Sequence, residues 1–228
     1  MQKKIESDKF EAIIDQRNIK HIVHFTRFES VTAIVGEGRI LPRNQLHNIG
    51  YDWQELVMPN TKDRRDDTAF LNTSIMHPNI YLLKIFRDSN HKGSRFCVLG
   101  IEPKYIYELY TKFSITNATY KPAKDFGING NLITFNSMFQ EKVSGKPIRG
   151  SNPFRWETIC RKLSLPDFYT TDPEAEVLIR SEIPYNDISF IACRNKLEHD
   201  ILASAFDILE LPTEKICVEP AFFENRVE

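Results

Sequence analysis

The chain has 228 residues, 41% of them hydrophobic, with 16 Phe and 8 Tyr, enough for one domain with a substantial core. A net charge of −1 excludes a surface coated in basic side chains, and no apolar run approaches the roughly 20 residues of a membrane span. The four cysteines (Cys97, Cys160, Cys193 and Cys217) are scattered, with no CxxC pair and no Cys/His ligand spacing, which points to free thiols and to no metal site.

Met1-Gln2-Lys3-Lys4 leads into a polar stretch without a signal-peptide core, and a soluble, cytoplasmic protein is expected. Apolar positions Ile5, Phe10, Ile13 and Ile14 predict an amphipathic helix over 4–16. Ile19 to Phe25 reads as a short buried strand. Thr26 is placed to cap a helix from about Phe28 to Val35 that ends at Gly36 or Gly38. Residues 42–67 form a polar stretch too long for an ordinary connection, which is the mark of a functional or disordered loop. Phe70–Ile75 predicts a strand, Tyr81–Phe86 a strand or short helix, and Ser94–Ile101 a strand. Pro103 then opens a helical turn, and Ile133–Phe139 reads as helix.

From Lys142 to Lys162 the chain turns basic, with Lys142, Lys146, Arg149, Arg155, Arg161 and Lys162 against one acid, Glu157. Phe154 and Trp156 lie within this segment and Phe168 and Tyr169 just beyond it. Cations interleaved with aromatics suit a groove that tracks phosphates and stacks bases; a solvated loop anchored by two aromatics has the same composition. A loop follows from Leu163 to Thr171. Two strands come next, Val177–Ile183 and Ile188–Ala192, joined by the turn Pro184-Tyr185-Asn186-Asp187, and then a helix from Asn195 to Phe206. No GxGxxG, phosphate loop or steady βαβ rhythm is present, so a doubly wound nucleotide-binding domain is not expected.

The most telling run is Asp172-Pro173-Glu174-Ala175-Glu176-Val177-Leu178-Ile179. In an extended chain Glu174 and Glu176 point to one face, about 6–7 Å apart. Two carboxylates so placed suit chemistry that builds positive charge on a sugar: one steadies an oxocarbenium-like centre and the other orients or deprotonates a nucleophile. Two solvated acids at a strand end are the plainer alternative. His24 and Thr26, also two apart, offer donors and acceptors for a ribose and an amide, or serve as a core histidine and a cap. Asp63-Arg64-Arg65-Asp66-Asp67 presents arginines held by acids, fit to grip a diphosphate, or a solvated charge run. Ser74 and the turn His77-Pro78-Asn79 follow closely enough to line the same cavity.

Taken in order, His24-Phe25-Thr26, Arg65-Asp66-Asp67, Asn72-Thr73-Ser74, His77-Pro78-Asn79 and Glu174-Ala175-Glu176-Val177-Leu178 resemble the DarT family, from about Ile19 to Ile188. That family comprises toxins that ADP-ribosylate bases in DNA and are neutralised by partner antitoxins. The resemblance implies an α+β fold, the ADP-ribosyltransferase fold. It is a split mixed β-sheet around an NAD cleft with peripheral helices, here a single domain over 1–228. NAD is then the co-substrate, with no metal. By the same resemblance His24 and Thr26 bind NAD near its nicotinamide end, with Arg64, Arg65 and Ser74 in the cofactor set. The loop 42–68 covers the cofactor, Arg65 is the active-site arginine (or Arg64 beside it), and Glu176 is the catalytic glutamate. Residues 163–175 form the substrate-recognition loop. Glu174 departs from the thymidine-modifying pattern and favours guanine as target, with thymine the alternative.

Single-stranded nucleic acid, DNA in the first place, is the expected substrate. Lys146, Arg149 and Arg155 are expected at phosphates, and Phe154, Trp156, Phe168 and Tyr169 at bases. A cognate antitoxin or ADP-ribose hydrolase is the implied partner, and no membrane. RNA in place of DNA, a protein target, and a non-enzymatic binding module on the same fold are the competing readings.

Overall fold

The computed structural model describes residues 2–49, 69–90, 93–120, 123–124, 127–148 and 156–226. Strands β1 (Ile22–Arg27), β2 (Arg39–Ile40), β3 (Leu71–Ile75), β4 (Phe96–Ile101), β5 (Lys112–Ser114), β6 (Lys142–Pro147), β7 (Trp156–Cys160), β8 (Glu176–Ile179), β9 (Ile183–Pro184), β10 (Ile188–Cys193) and β11 (Ile216–Val218) alternate with helices. The α-helices include α1 (Ser7–Gln16), α2 (Phe28–Glu37), α3 (Ile80–Ile85), α4 (Leu132–Ser137) and α5 (Lys196–Ile208). Among the described residues, seven strands form one mixed sheet in the order β11-β10-β4-β1-β3-β8-β5. Only β10 and β11 pair in parallel; every other neighbour pair is antiparallel.

The sheet is split at its middle. β1 pairs with β4 along all six residues, but with β3 at two positions only, Ile22↔Ile75 and Val23↔Ser74. Past Val23 the two strands part. The main core lies on one face, where Phe10 and Ile14 of α1, Val31 and Val35 of α2, Phe135 of α4, and Leu202 and Phe206 of α5 meet the sheet. Phe10, Phe113 and Phe135 stack there with centroids 5.0–5.8 Å apart. On the other face Ile80 and Leu83 of α3, with Phe86 and Phe223, cover Val23, Val98 and Ala192. Strands covered on both faces read as continuous apolar runs, which is why β4 and β8 stand out in the sequence.

Several boundaries differ from expectation. Thr26 does not cap α2: β1 runs through it to Arg27, which is the cap position and makes no side-chain capping bond. The helix ends at Gly38, whose φ of 70° is the left-handed turn glycine accepts cheaply. Val177–Ile183 is two strands, β8 and β9, because β9 pairs with β2 in a small separate sheet. Tyr81–Phe86 is helix, capped by the Asn79 side chain on Leu82 N at 3.1 Å. The two ends of the basic segment are strands rather than loop: β6 and β7 pair antiparallel in their own two-stranded sheet. β5 and β11, three residues each, are too short to show a periodic pattern.

Candidate active site

The turn that carries the acids is built by Asp172. Its Oδ1 accepts from Glu174 N at 2.8 Å and its carbonyl from Ala175 N at 3.1 Å, an Asx turn that delivers the chain into β8. β8 therefore starts at Glu176, and Glu174 lies in the turn rather than on the strand. The simple alternation expected for Glu174 and Glu176 does not apply. Neither acid is solvated: Glu174 is 5% exposed and Glu176 4%. Burying a carboxylate is costly unless donors meet it, so its partners matter.

Glu176 Oε2 accepts from the backbone N of Ala118 at 2.9 Å and from Asn72 Nδ2 at 3.3 Å. Asn72 stands on β3, and its carbonyl lies 2.9 Å from His24 Nδ1 on β1. His24 thus links the two halves of the sheet where the backbone ladder stops. Because Nδ1 faces a carbonyl, it carries a proton and donates it. Glu174 Oε2 accepts from Tyr120 Oη at 2.8 Å. Both carboxylates are held by one short segment, 117–120, itself shaped by Asn117, whose Oδ1 accepts from Thr119 N at 3.0 Å and Thr119 Oγ1 at 2.6 Å.

Thr26 follows His24 on the same strand and is buried. Ser74, buried at the end of β3, follows Thr73, which pairs with Val177; the same register brings it beside Glu176. His24, Asn72, Ser74, Glu174 and Glu176 are thus gathered around the split. Arg64 and Arg65 lie outside the described residues, as do Arg149, Phe154 and Arg155. Lys146 stands on β6 opposite Glu157, and Trp156 opens β7 opposite Pro147.

The loop that precedes the acids is tied by guanidinium groups. Arg161, counted in the basic segment, gives Nη1 to Tyr169 O and Nη2 to Pro166 O, each at 2.7 Å. Phe168 packs on the main core, and Tyr169 meets the His77 ring edge-on at 6.0 Å. The ring nitrogens of His77 lie 3.0 Å from Pro78 O and 3.1 Å from Ala221 O, and burial holds its pKa below the usual histidine value. A cavity of about 520 Å³ elsewhere is lined by Arg87, Asp88, Arg95, Arg194 and Glu198 and includes none of the predicted site residues. Among the described residues no group of three or more His, Cys, Asp or Glu is placed to hold a metal, and no helix is long and apolar enough to cross a membrane.

Tyr120, Asn72 as a Glu176 partner, and Ala118 N were not anticipated as site groups. No local pattern marks them: Tyr120 lies 54 residues before Glu174 and Asn72 104 before Glu176.

A family model described as "ssDNA thymidine ADP-ribosyltransferase, DarT" matches residues 23–224. No curated protein matches the chain. Among solved structures, Thermus sp. 2.9 DarT in complex with ADP-ribosylated ssDNA is similar at 12% identity over 91% of this chain and 97% of that one, with a TM-score of 0.57. The same Thermus protein in complex with NAD+ gives 9% identity over 90% and 98%, at 0.48. Thermosipho africanus DarTG in complex with ADP-ribose gives 14% over 90% and 51%, at 0.49. The first of these establishes the likeness of fold.

Proposed function

The chain belongs to the DarT family of single-stranded-DNA ADP-ribosyltransferases, and on that premise we propose that it transfers ADP-ribose from NAD to a guanine in single-stranded DNA. The observation that carries the reading is Glu176: a buried carboxylate held by Ala118 N and Asn72, joined through Asn72 to His24 across the split sheet. Orienting such a carboxylate in advance is how a site meets charge that develops only during reaction.

NAD supplies a glycosidic bond whose electron pair departs on nicotinamide while a base nitrogen bonds the ribose. Glu176 takes the ribose 2′-hydroxyl and stabilises the growing positive charge. Arg65, or Arg64 beside it, neutralises the diphosphate, and His24, Thr26 and Ser74 complete the NAD set. Glu174 receives the proton that the base releases, with Tyr120 fixing its carboxyl. Lys146, Arg149 and Arg155 meet phosphates, and Phe154, Trp156, Phe168 and Tyr169 supply stacking or shape the pocket.

The family description names thymidine. Favouring guanine is the buried Glu174 carboxylate, since guanine offers two adjacent donors on its Watson–Crick edge, N1–H and N2–H2, and thymine one. A cognate antitoxin or ADP-ribose hydrolase that reverses the mark is the proposed partner.

Mass spectrometry of single-stranded DNA and RNA oligonucleotides of single-base composition, incubated with protein and NAD, tests the reading. One added ADP-ribose on the guanine-containing DNA is expected, with the rate falling roughly a hundred- to a thousandfold in Glu176→Ala. An adduct on thymine moves the assignment to that base. NAD consumption without any adduct overturns nucleic acid as the target.

A further inference from the structure

Residues 163–171, the first part of the proposed recognition loop 163–175, have no regular secondary structure, yet Thr170 and Thr171 are 4% and 2% exposed. Buried carbonyls need donors, and a loop without a ladder must find them elsewhere. Here they come from arginines far apart in sequence. Arg17 of the segment after α1 reaches Asp167 O at 3.1 Å, and Arg161 takes Pro166 and Tyr169. The last two carbonyls before Asp172 are taken by the far end of the chain: Arg226 Nη1 donates to Thr170 O at 2.7 Å and Nη2 to Thr171 O at 3.0 Å. Its guanidinium also lies 5.6 Å from the centre of the Tyr169 ring.

The segment that presents Arg226 is itself docked. Ala221 O is bound to the His77 ring, Phe222 stacks on Phe190 at 5.3 Å, and Lys84 Nζ of α3 donates to Asn225 Oδ1 at 2.9 Å. Residues 219–226 therefore form a strap from the α3 face of the sheet to the loop, ending on the two residues immediately before Asp172, whose turn sets both acids.

We propose that Arg226 is a positioning residue: through the Thr170 and Thr171 carbonyls the strap fixes where the recognition loop sits relative to Glu174 and Glu176, and so governs capture of the nucleobase rather than cleavage of NAD. The inference rests on the proposed transfer activity. A planar fork bonding two successive carbonyls sets register and direction, which a single lysine ammonium does less well.

The test compares wild type, Arg226→Ala and Arg226→Lys in three readouts: kcat/KM for the modified oligonucleotide, NAD hydrolysis without DNA, and amide hydrogen exchange over 166–172. The expected result for Arg226→Ala is a tenfold or greater loss with the oligonucleotide, mainly in KM, with NAD hydrolysis changed far less and exchange in the loop faster. Arg226→Lys recovers part of each, and carries the test if the alanine variant does not fold. Parallel loss of both activities, no loss of either, or unchanged loop exchange overturns the proposal. A wild-type protein that modifies no oligonucleotide overturns the functional reading instead, and the exchange measurement still decides whether Arg226 holds the loop.

Discussion

At the residue scale, the two acids differ in what holds them. Glu176 is met by a backbone donor and an amide, Glu174 by a phenol. A hydrogen bond to a charged group contributes about 1.5–3 kcal/mol. Tyr120→Phe removes that donor without changing shape, so transfer to the base is expected to fall by about tenfold or more, with NAD hydrolysis little altered. Steady-state kinetics on both reactions check this; equal loss in the two would place Tyr120 in the fold rather than in the reaction. The identity of the acids was readable from the sequence because two glutamates beside a buried apolar run are conspicuous. Their partners were not, because Ala118 contributes only a backbone N–H and Asn72 looks like any strand-edge amide.

At the element scale, the close approach of β10 to β4 depends on Gly100. A β-carbon there would lie 2.2–2.6 Å from the Phe190 ring, which stacks in turn on Phe222 of the strap. Gly100→Ala must displace that ring and is expected to destabilise the protein by about 1–3 kcal/mol. Urea unfolding measures it, and an unchanged midpoint would mean the ring has room to move. The elements that were legible, β4, β8, α1 and α5, carry strong periodicity or continuous burial. Those that were not, β5, β11 and the β6–β7 hairpin, are short or mostly solvated, so packing and strand pairing decided them rather than propensity. The hairpin is the clearest case: a run of Lys, Ser and Gly reads as loop until Lys142 through Pro147 pair with Cys160 through Trp156.

At the scale of the whole molecule, a net charge of −1 leaves any attraction to DNA to local patches. If Lys146, Arg149 and Arg155 each neutralise one phosphate, log affinity for single-stranded DNA should fall with log salt at a slope of about −2. Fluorescence anisotropy over a salt series reads this directly, and a flat response removes those three residues from the interface. Stability should also depend on pH through Lys4, which burial pulls down to about 8 despite the opposing charge of Glu108. Its Nζ donates to Thr111 O at 2.6 Å, beneath a Gly130 whose β-carbon would lie 2.7 Å from that same oxygen. Between pH 8 and the ordinary lysine value of about 10.4 the unfolded chain holds the proton and the folded one does not. Stability from this group therefore rises with pH across that window and is lost as pH falls toward 8. Urea midpoints over that range, taken as wild type minus Lys4→Met, should show the rise, and a difference independent of pH would sink it.

The sequence by itself determined the family, because the order of His24, Asn72-Thr73-Ser74 and Glu174-Ala175-Glu176 along the chain survives without knowledge of contacts. It determined the buried apolar strand that follows the paired acids, because a strand covered on both faces must be apolar along its length. Only the tertiary structure decided that Glu174 sits in an Asx turn, that residues 117–120 hold both acids, and that Arg226 binds the loop in front of them. The last two join groups 50 or more residues apart through one or two hydrogen bonds, and such pairings leave no periodicity to read.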